Sequence, residues 1–138
     1  MEATRGRVII DTDIQVDILR NVRKTVDFIR ELEKKEYILS TTVVNVFELY
    51  YGAYKSRKRA KNLSATNELL KRLIVLEMTF KPARKAGQIH ADLEAEGKPI
   101  GLRDAMIGAI SLSEGCSVVT QNVEHLGRIE ELNLIQAP

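Results

Sequence analysis

Short apolar runs alternate with longer amphipathic segments along the whole chain. The run RVIID (Arg7 to Asp11) has β-branched residues and no turn former before its last position, which predicts a short strand buried on both faces. Similar short runs, EYILS, LIVLEM, CSVVT and LNLIQ, lie between segments whose apolar residues recur at helical spacing. This alternation predicts an α/β sandwich with a mainly parallel sheet, formed by a single domain over residues 1–138.

Several predicted helices carry signals at their ends. Thr12 and Gln15 have the spacing of a capping box, which predicts a helix over about residues 14–20. The segment TTVVNVFELYYGAYKSRKRA begins with threonines that can cap a helix, and its apolar period predicts one long helix with a basic tail. Gly101 and Gly115 bound LRDAMIGAISLSEG, which is apolar almost all round and is therefore expected inside the domain.

Cysteine and histidine are too scarce for several kinds of site. With one cysteine, Cys116, and two histidines, a single chain cannot build a disulfide framework or a Cys/His zinc cluster. Any metal ion must therefore be held mainly by oxygen. No uninterrupted apolar run reaches the roughly 18 residues of a membrane span, and the first residues lack the apolar core of a signal peptide. We expect a cytoplasmic protein without a membrane partner.

A basic cluster follows the aromatic stretch ELYYGAY. The cluster KSRKRAK places five cations in seven positions: Lys55, Arg57, Lys58, Arg59 and Lys61. These cations form either a solvated helix face or a patch that contacts phosphates, and both interpretations stay open. Tyr50, Tyr51 and Tyr54 precede the cluster at helical spacing, which favours a place in the core or in a dimer interface over stacking on bases.

Acidic residues occur at three positions next to the predicted core. Asp11 follows the first strand, Glu48 has mostly apolar helix neighbours, and Asp104 lies in the first turn of the most apolar helix. Burying an ionised carboxylate without a partner costs several kcal/mol, so each should have a cation or a hydrogen-bond donor nearby. Glu48 and Asp104 also have purely structural explanations, because Glu48 can pair with a buried arginine and Asp104 can favour the helix N-terminus.

Together the acids indicate a metal site. Ligands bind beyond the carboxyl ends of the strands in an open parallel sheet, where Asp11 and the segment Thr120 to Asn122 form one rim if their strands are neighbours. Three acids at this rim repel each other unless a divalent cation neutralises them. Oxygen ligands without cysteine or histidine favour Mg²⁺ or Mn²⁺ over zinc.

Four motifs resemble those of the PIN-domain ribonucleases, and particularly of the VapC toxins of toxin–antitoxin pairs. They are VIIDTDIQVDILR, STTVVNVFELYYGA, PIGLRDAMIGAISLSEG and SVVTQNVEHLGRI, and they occur in the family's order over nearly the whole chain. The resemblance implies a three-layer α/β sandwich with a central, mainly parallel sheet. It also implies that Asp11, Glu48 and Asp104 bind Mg²⁺ or Mn²⁺, and that Thr12 matches a small hydroxyl residue of the family.

The resemblance is less complete at two places. Asp13 stands where many relatives have asparagine or serine, so it either caps the following helix or adds charge to the site. Many relatives supply another acid in the segment that matches TQNVEHL, where this chain has Asn122, Glu124 and His125. Asn122 is a candidate catalytic residue that donates a neutral oxygen or orients a water, and both one and two metal ions stay possible.

The activity that the resemblance implies is endoribonuclease cleavage by metal-activated water, leaving a 5′-phosphate and a 3′-hydroxyl. The protein would form a homodimer and be neutralised by a cognate antitoxin, whose C-terminal segment brings a basic residue near the acids. The residues expected to contact RNA phosphates are Lys55, Arg57, Lys58, Arg59 and Arg103.

Two other functions compete with this prediction. The sequence DTD after a strand also resembles the start of haloacid-dehalogenase-like phosphatases, but Gln15 stands where those enzymes usually have threonine or serine, and Glu48 is left unexplained. The second alternative is a catalytically silent PIN-like module that binds RNA or protein. The missing acid near Asn122 supports that alternative.

Overall fold

The computed structural model describes residues 6–138, which form a five-stranded parallel sheet with helices packed on it. The strands are β1 (Arg7–Ile10), β2 (Ile38–Thr42), β3 (Ile74–Leu76), β4 (Ser117–Thr120) and β5 (Leu134–Gln136). Their order in the sheet is β3-β2-β1-β4-β5, and every neighbouring pair is parallel. The helices are α1 (Thr12–Leu19), α2 (Arg23–Lys34), α3 (Val43–Lys55), α4 (Arg59–Leu70), α5 (Phe80–Ala95) and α6 (Leu102–Glu114).

Side chains of the central strands alternate between two apolar clusters, one on each face of the sheet. Ile9 and Val118 belong to the cluster that includes residues of α5 and α6. Val8, Ile10 and Val119 belong to the cluster that includes residues of α1 and α2. Because successive side chains of a strand point to opposite faces, the two clusters are the two helix–sheet interfaces of a three-layer sandwich. The predicted fold class is confirmed.

Strands β1 and β4 are direct neighbours, so their carboxyl ends meet at one edge of the sheet. Ile10 pairs with Val119, and the backbone N–H of Asp11 donates to the carbonyl of Val119 at 2.9 Å. Asp11 and Thr120 therefore leave the sheet side by side. The prediction that these two strand ends form one rim is confirmed.

The predicted capping box at Thr12 and Gln15 is wrong. Asp11 caps α1 instead, accepting a hydrogen bond from the backbone N–H of Thr12, so the helix begins at Thr12 rather than near residue 14. Gln15 is fully buried, and its Nε2 donates to the Ile10 carbonyl and the Thr41 hydroxyl. Gln15 faces the sheet, where these buried acceptors require a donor.

The predicted long helix with a basic tail is two helices. Thr42 caps α3 as expected, but α3 ends at Lys55, because Ser56 has extended backbone angles (φ −77°, ψ 159°). The Ser56 hydroxyl donates to the Ala53 carbonyl and accepts from Asn62 Nδ2, so it fastens the end of α3 to α4. The basic cluster therefore spans the junction of the two helices.

Helix α6 is buried, as its apolar sequence predicts, and it ends at Gly115 in the left-handed conformation (φ 66°) that glycine adopts without strain. Over residues 6–138, none of the helices has the length and apolar character needed to cross a membrane.

Candidate active site

Asp11 lies at the centre of the candidate site and is 4% exposed. Its position at the end of β1 makes it the N-cap of α1, so sheet and helix together fix its side chain. Oδ1 accepts hydrogen bonds from the backbone N–H of Thr12 at 2.8 Å and from Asn45 Nδ2 at 3.1 Å. Oδ2 accepts from the Thr120 hydroxyl at 2.9 Å. These neutral donors hold both oxygens of the buried carboxylate in fixed directions.

Glu48 comes to the same place from α3. Its Oε1 accepts a hydrogen bond from the Thr12 hydroxyl at 2.6 Å. The Thr12 oxygen in turn accepts from Asn45 Nδ2 at 2.9 Å. Asn45 is held as well, because its Oδ1 accepts from the backbone N–H and the hydroxyl of the helix cap Thr42. A chain of oriented hydrogen bonds thus runs from the start of α3 to the Glu48 carboxylate.

Asp104 comes from the first turn of α6 and is 8% exposed. A carboxylate in the first turn of a helix interacts favourably with the helix dipole, so the place of Asp104 agrees with the alternative that it only stabilises the helix N-terminus. One oxygen of Asp104 accepts a hydrogen bond from Arg103, and the second lies 3.7 Å from Nδ1 of His125. His125 is therefore at the border of the site.

Arg103 joins the three carboxylates. Its Nη2 donates to Asp11 Oδ1 at 2.7 Å and to Glu48 Oε1 at 2.8 Å. Its Nε donates to Glu48 Oε2 at 2.7 Å, and its Nη1 donates to Asp104 Oδ1 at 2.7 Å. Burial lowers the pKa of Arg103, but the hydrogen bond to Glu48 and the charge of Asp11 outweigh it, so the pKa is raised overall. Arg103 is therefore a permanent cation at the centre of the site.

The structure therefore brings Asp11, Glu48 and Asp104 together around one positive group. The pairing of Glu48 with a partly buried arginine agrees with its structural explanation, but that explanation does not require two further acids on the same guanidinium. Among residues 6–138, no group of three or more His, Cys, Asp or Glu side chains is arranged to hold a metal ion directly. The positive group between the acids is Arg103.

Asp13 has the contacts of a cap and a cross-link. Its Oδ1 accepts from the backbone N–H of Ile14, while Oδ2 accepts from the backbone N–H of Gln121 at 2.9 Å and lies 3.2 Å from the Thr120 hydroxyl. Burial raises the pKa of Asp13, the hydrogen bond from Gln121 opposes this, and the charge of Asp11 adds to it. Asp13 ties the start of α1 to the end of β4 and makes no contact with Arg103.

Other predicted site residues lie outside the cluster. Asn122 is exposed, and within the described chain its side chain forms no hydrogen bond to the three acids, while its backbone N–H donates to Thr120. Glu124 is exposed and lies 3.6 Å from Arg128. The catalytic role of Asn122 stays a prediction. The cations at the junction of α3 and α4 are exposed, namely Lys55, Arg57, Lys58, Arg59 and Lys61.

The aromatic side chains of α3 are not part of the core of this chain. Phe47, Tyr51 and Tyr54 are 68%, 57% and 52% exposed, so of the two predicted places, the core or a dimer interface, the core is excluded for these two tyrosines. Lys55 lies over the ring of Tyr51, and Arg59 lies over that of Tyr54. A dimer interface on this face stays a prediction.

Two residues of the site were not predicted to contact its acids. Asn45 donates to both Asp11 and Thr12, and Thr120 donates to Asp11. Asn45 lies three positions after the threonine cap of α3, where a polar residue is explained by capping alone. The only signal for Thr120 was its place at the end of a strand beside the first one.

The fold agrees with a known family. A model of the PIN domain matches residues 8–132, so the chain belongs to the PIN-domain family. Ribonuclease VapC2 of Haemophilus influenzae is 30% identical over 123 residues, which cover 89% of this chain and 92% of that protein. The tRNA(fMet)-specific endonuclease VapC of Shigella flexneri is 31% identical over 123 residues, with the same coverage of 89% and 92%.

A solved structure extends the likeness to the whole fold. It is the crystal structure of VapBC2 from Rickettsia felis bound to a DNA fragment from their promoter. The match has a TM-score of 0.87 and 26% identity, and it covers 96% of this chain and 99% of that chain. The predicted resemblance to VapC-type PIN proteins is confirmed.

Proposed function

We propose that this protein is an endoribonuclease toxin of the VapC type, inhibited by a cognate antitoxin. The observation that carries the proposal is the convergence of three carboxylates from β1, α3 and α6 on one cationic group at the rim of the sheet. Such a cluster is costly to build, because unpaired buried charges destabilise a fold by several kcal/mol. The names of the Haemophilus and Shigella relatives supply the reaction class.

We further propose that Asp11, Glu48 and Asp104 hold Mg²⁺ or Mn²⁺. The donor set fits these ions, because it consists of carboxylate oxygens that face a position already occupied by positive charge. When bound, the ion would polarise a phosphoryl oxygen and lower the pKa of a water molecule. The donors include no histidine or cysteine, the residues that would favour zinc.

The other residues of the site would orient these acids. Asn45 and Thr120 donate to opposite oxygens of Asp11, and Thr12 donates to Oε1 of Glu48. These three oxygens are therefore fixed before any ligand binds. Fixed oxygens reduce the reorganisation that accompanies ion binding and phosphodiester cleavage. RNA would approach from the solvent side, with exposed cations such as Lys58 binding its phosphates.

The expected partners are RNA, an antitoxin and a second copy of the chain. The Rickettsia structure is a VapBC assembly, which supports an antitoxin as the regulatory partner. The exposed aromatic face of α3 is a candidate for the homodimer interface.

A catalytically silent PIN-like module is the second candidate. It is favoured by the segment after β4, where Asn122 and Glu124 are exposed and neither contacts Arg103. That segment therefore adds no further acid to the cluster.

A cleavage assay with a matched control separates the two candidates. Labelled transfer, ribosomal and messenger RNAs are incubated with the protein and Mg²⁺ or Mn²⁺, with and without EDTA; tRNA(fMet) is included because the Shigella relative is named for it. We expect EDTA and Asp11→Asn each to reduce cleavage by more than about 100-fold, since residues that only orient metal ligands contribute about 10–100-fold. Asp27→Asn, on the exposed face of α2, should cleave like the wild type.

Two results would contradict the proposal. Cleavage that persists in EDTA and in Asp11→Asn would exclude the proposed metal site. RNA binding that weakens with salt, without any cleavage, would favour the silent module.

A further inference from the structure

Arg103 uses the carboxylate oxygens that a metal ion would need. Its guanidinium contacts Asp11 Oδ1, both oxygens of Glu48 and Asp104 Oδ1, all at 2.7–2.8 Å. The guanidinium fills the space between these oxygens, so a metal ion cannot take the same place while it is there. Arg103 and the proposed ion are therefore competitors for one position.

The charges of the site do not balance with Arg103 alone. One guanidinium faces three carboxylates, which leaves the cluster with two uncompensated negative charges if all three are ionised. A divalent cation supplies more charge at one point than the delocalised guanidinium does. The arrangement thus stabilises the acids without satisfying their charge completely.

Arg103 is placed so that it can leave. Its side chain is 34% exposed, whereas those of Asp11 and Asp104 are 6% and 12% exposed. It projects from the first turn of α6 on a flexible stem, so rotation of the stem moves the guanidinium without unfolding the helix. Asp11 and Glu48, by contrast, accept further hydrogen bonds from Asn45, Thr12 and Thr120, which hold these two carboxylates in place.

We propose that Arg103 is an exchangeable internal counter-ion: a divalent cation replaces it on the three acids, and the released guanidinium then binds a phosphate of the RNA. The inference rests on the proposed function. Phosphate suits the released group, because the planar guanidinium donates two parallel hydrogen bonds to it. Arg103 would thus neutralise the acids before the metal ion binds and would bind the RNA phosphate afterwards.

The exchange links the binding of metal ion and polyanion. A ligand that draws Arg103 away from the acids makes their oxygens available and strengthens ion binding, and reciprocity requires the ion to strengthen phosphate binding equally. Without Arg103, ion binding becomes tighter, because nothing has to be displaced, and its coupling to phosphate binding disappears.

Mn²⁺ binding in the absence of RNA tests the first half of this proposal. The loss of the free Mn²⁺ paramagnetic resonance signal is measured for wild type, Arg103→Ala and Arg30→Ala, a matched control on the exposed side of α2. We expect Arg103→Ala to bind Mn²⁺ at least about fivefold more tightly than wild type, the lower end of typical coupling between ligands. Arg30→Ala should bind like wild type.

Thermal unfolding distinguishes a specific effect of Arg103→Ala on ion binding from a general loss of folding. Without metal, Arg103→Ala should melt at a lower temperature than wild type, because three acids lose their counter-ion. Saturating Mn²⁺ should narrow this difference, since the ion takes the place of the missing cation. Arg103→Lys, which keeps a charge but not the fork of donors, should lie between the two proteins in Mn²⁺ affinity.

The second half is tested with a short labelled DNA oligonucleotide, which offers phosphates without being the proposed substrate. Fluorescence anisotropy should show that Mg²⁺ increases its affinity for wild type and Arg30→Ala but not for Arg103→Ala. An equal Mg²⁺ effect in Arg103→Ala would overturn the transfer to phosphate.

The failures of this inference and of the proposed function are distinguishable. Equal or weaker Mn²⁺ binding by Arg103→Ala, together with Mn²⁺-dependent RNA cleavage by wild type, overturns the exchange alone. Absence of Mn²⁺ binding in both proteins overturns the metal site and the exchange together.

Discussion

Asn45 donates a hydrogen bond to the Thr12 hydroxyl oxygen at 2.9 Å, and the same hydroxyl donates to Glu48 Oε1 at 2.6 Å. Because the Asn45 amide occupies one lone pair of this oxygen, it favours the orientation in which the Thr12 hydrogen points to Glu48. Asn45 on α3 thus acts through Thr12 on α1 to orient the side chain of Glu48, which also lies on α3.

This relationship predicts that Thr12→Val lowers RNA cleavage by about 10–100-fold, the usual effect of removing a residue that orients a metal ligand. Valine has nearly the same shape, so the fold should be retained, but Glu48 loses its donor. Thr12→Ser keeps the hydroxyl and should restore most of the activity. Cleavage rates of the two variants, with circular dichroism to verify folding, check the prediction.

Asn45→Ala should destabilise the protein by about 1–3 kcal/mol, because buried partners at Thr42, Thr12 and Asp11 each lose a hydrogen bond. Thr42→Ala removes the helix cap but keeps the amide of Asn45, and should cost about 1 kcal/mol. Urea unfolding measures both values. A smaller loss for Asn45→Ala than for Thr42→Ala would show that Asn45 matters only as part of the capping box.

Helix α6 closely approaches Ile129, which follows a short 3-10 helix (Leu126–Arg128), and this contact predicts that one substitution changes stability in opposite directions in two backgrounds. A Cβ at Gly108 would lie 2.4 Å from Cδ1 of Ile129, which is buried. Gly108→Ala should therefore lower the free energy of unfolding by about 1 kcal/mol or more. In an Ile129→Val background, which removes that methyl group, the same substitution should be neutral or stabilising by up to about 1 kcal/mol, because alanine favours helix.

The exposed cations between α3 and α4 predict a salt-dependent loss of RNA binding. Arg57→Gln should weaken binding of different RNA sequences to a similar extent, and should reduce the slope of log affinity against log salt by about 0.7 if one phosphate contact is lost. Lys81→Gln, exposed on α5, is the control for general charge. An unchanged slope for Arg57→Gln would indicate a solvated helix face.

Cys116 should be protected in the native protein. Burial raises the pKa of its thiol, with the nearby Glu114 adding to this effect and Arg7 opposing it. A thiol reagent should therefore react slowly at mildly alkaline pH and rapidly in urea. Because the unfolded chain releases this proton first, the free energy of unfolding should decline as the pH rises through the raised pKa, and Cys116→Ala should lack that part of the decline.

Much of this fold was predictable because its signals are local. The β-branched run before Asp11 and the apolar sequence of α6 identify a strand and a helix without knowledge of their partners. The break at Ser56 was not predictable in the same way, since it depends on a hydrogen bond from Asn62, which belongs to the next helix.

The site likewise contains residues that the sequence reveals and residues that it does not. Asp11, Glu48 and Asp104 stand out as charges in apolar surroundings.

Neutral residues and long side chains gave no comparable signal. Asn45 and Thr120 are polar residues at places where polar residues are ordinary, so only their contacts reveal their part in the site. Arg103 was expected to reach outward to phosphate. The sequence does not determine the direction of a long flexible side chain, and here ion pairs with three carboxylates turn Arg103 toward the site.

The double role of Asp11 as helix cap and as site acid determines how a harmless form of the protein should be made. Alanine at this position would remove the carboxylate but also loosen the start of α1, so a loss of the proposed toxicity would not distinguish a missing site acid from poor folding. Asparagine caps a helix as well as aspartate does while carrying no charge. Asp11→Asn is therefore the variant to produce in living cells when an intact but inactive protein is wanted for capturing the proposed antitoxin.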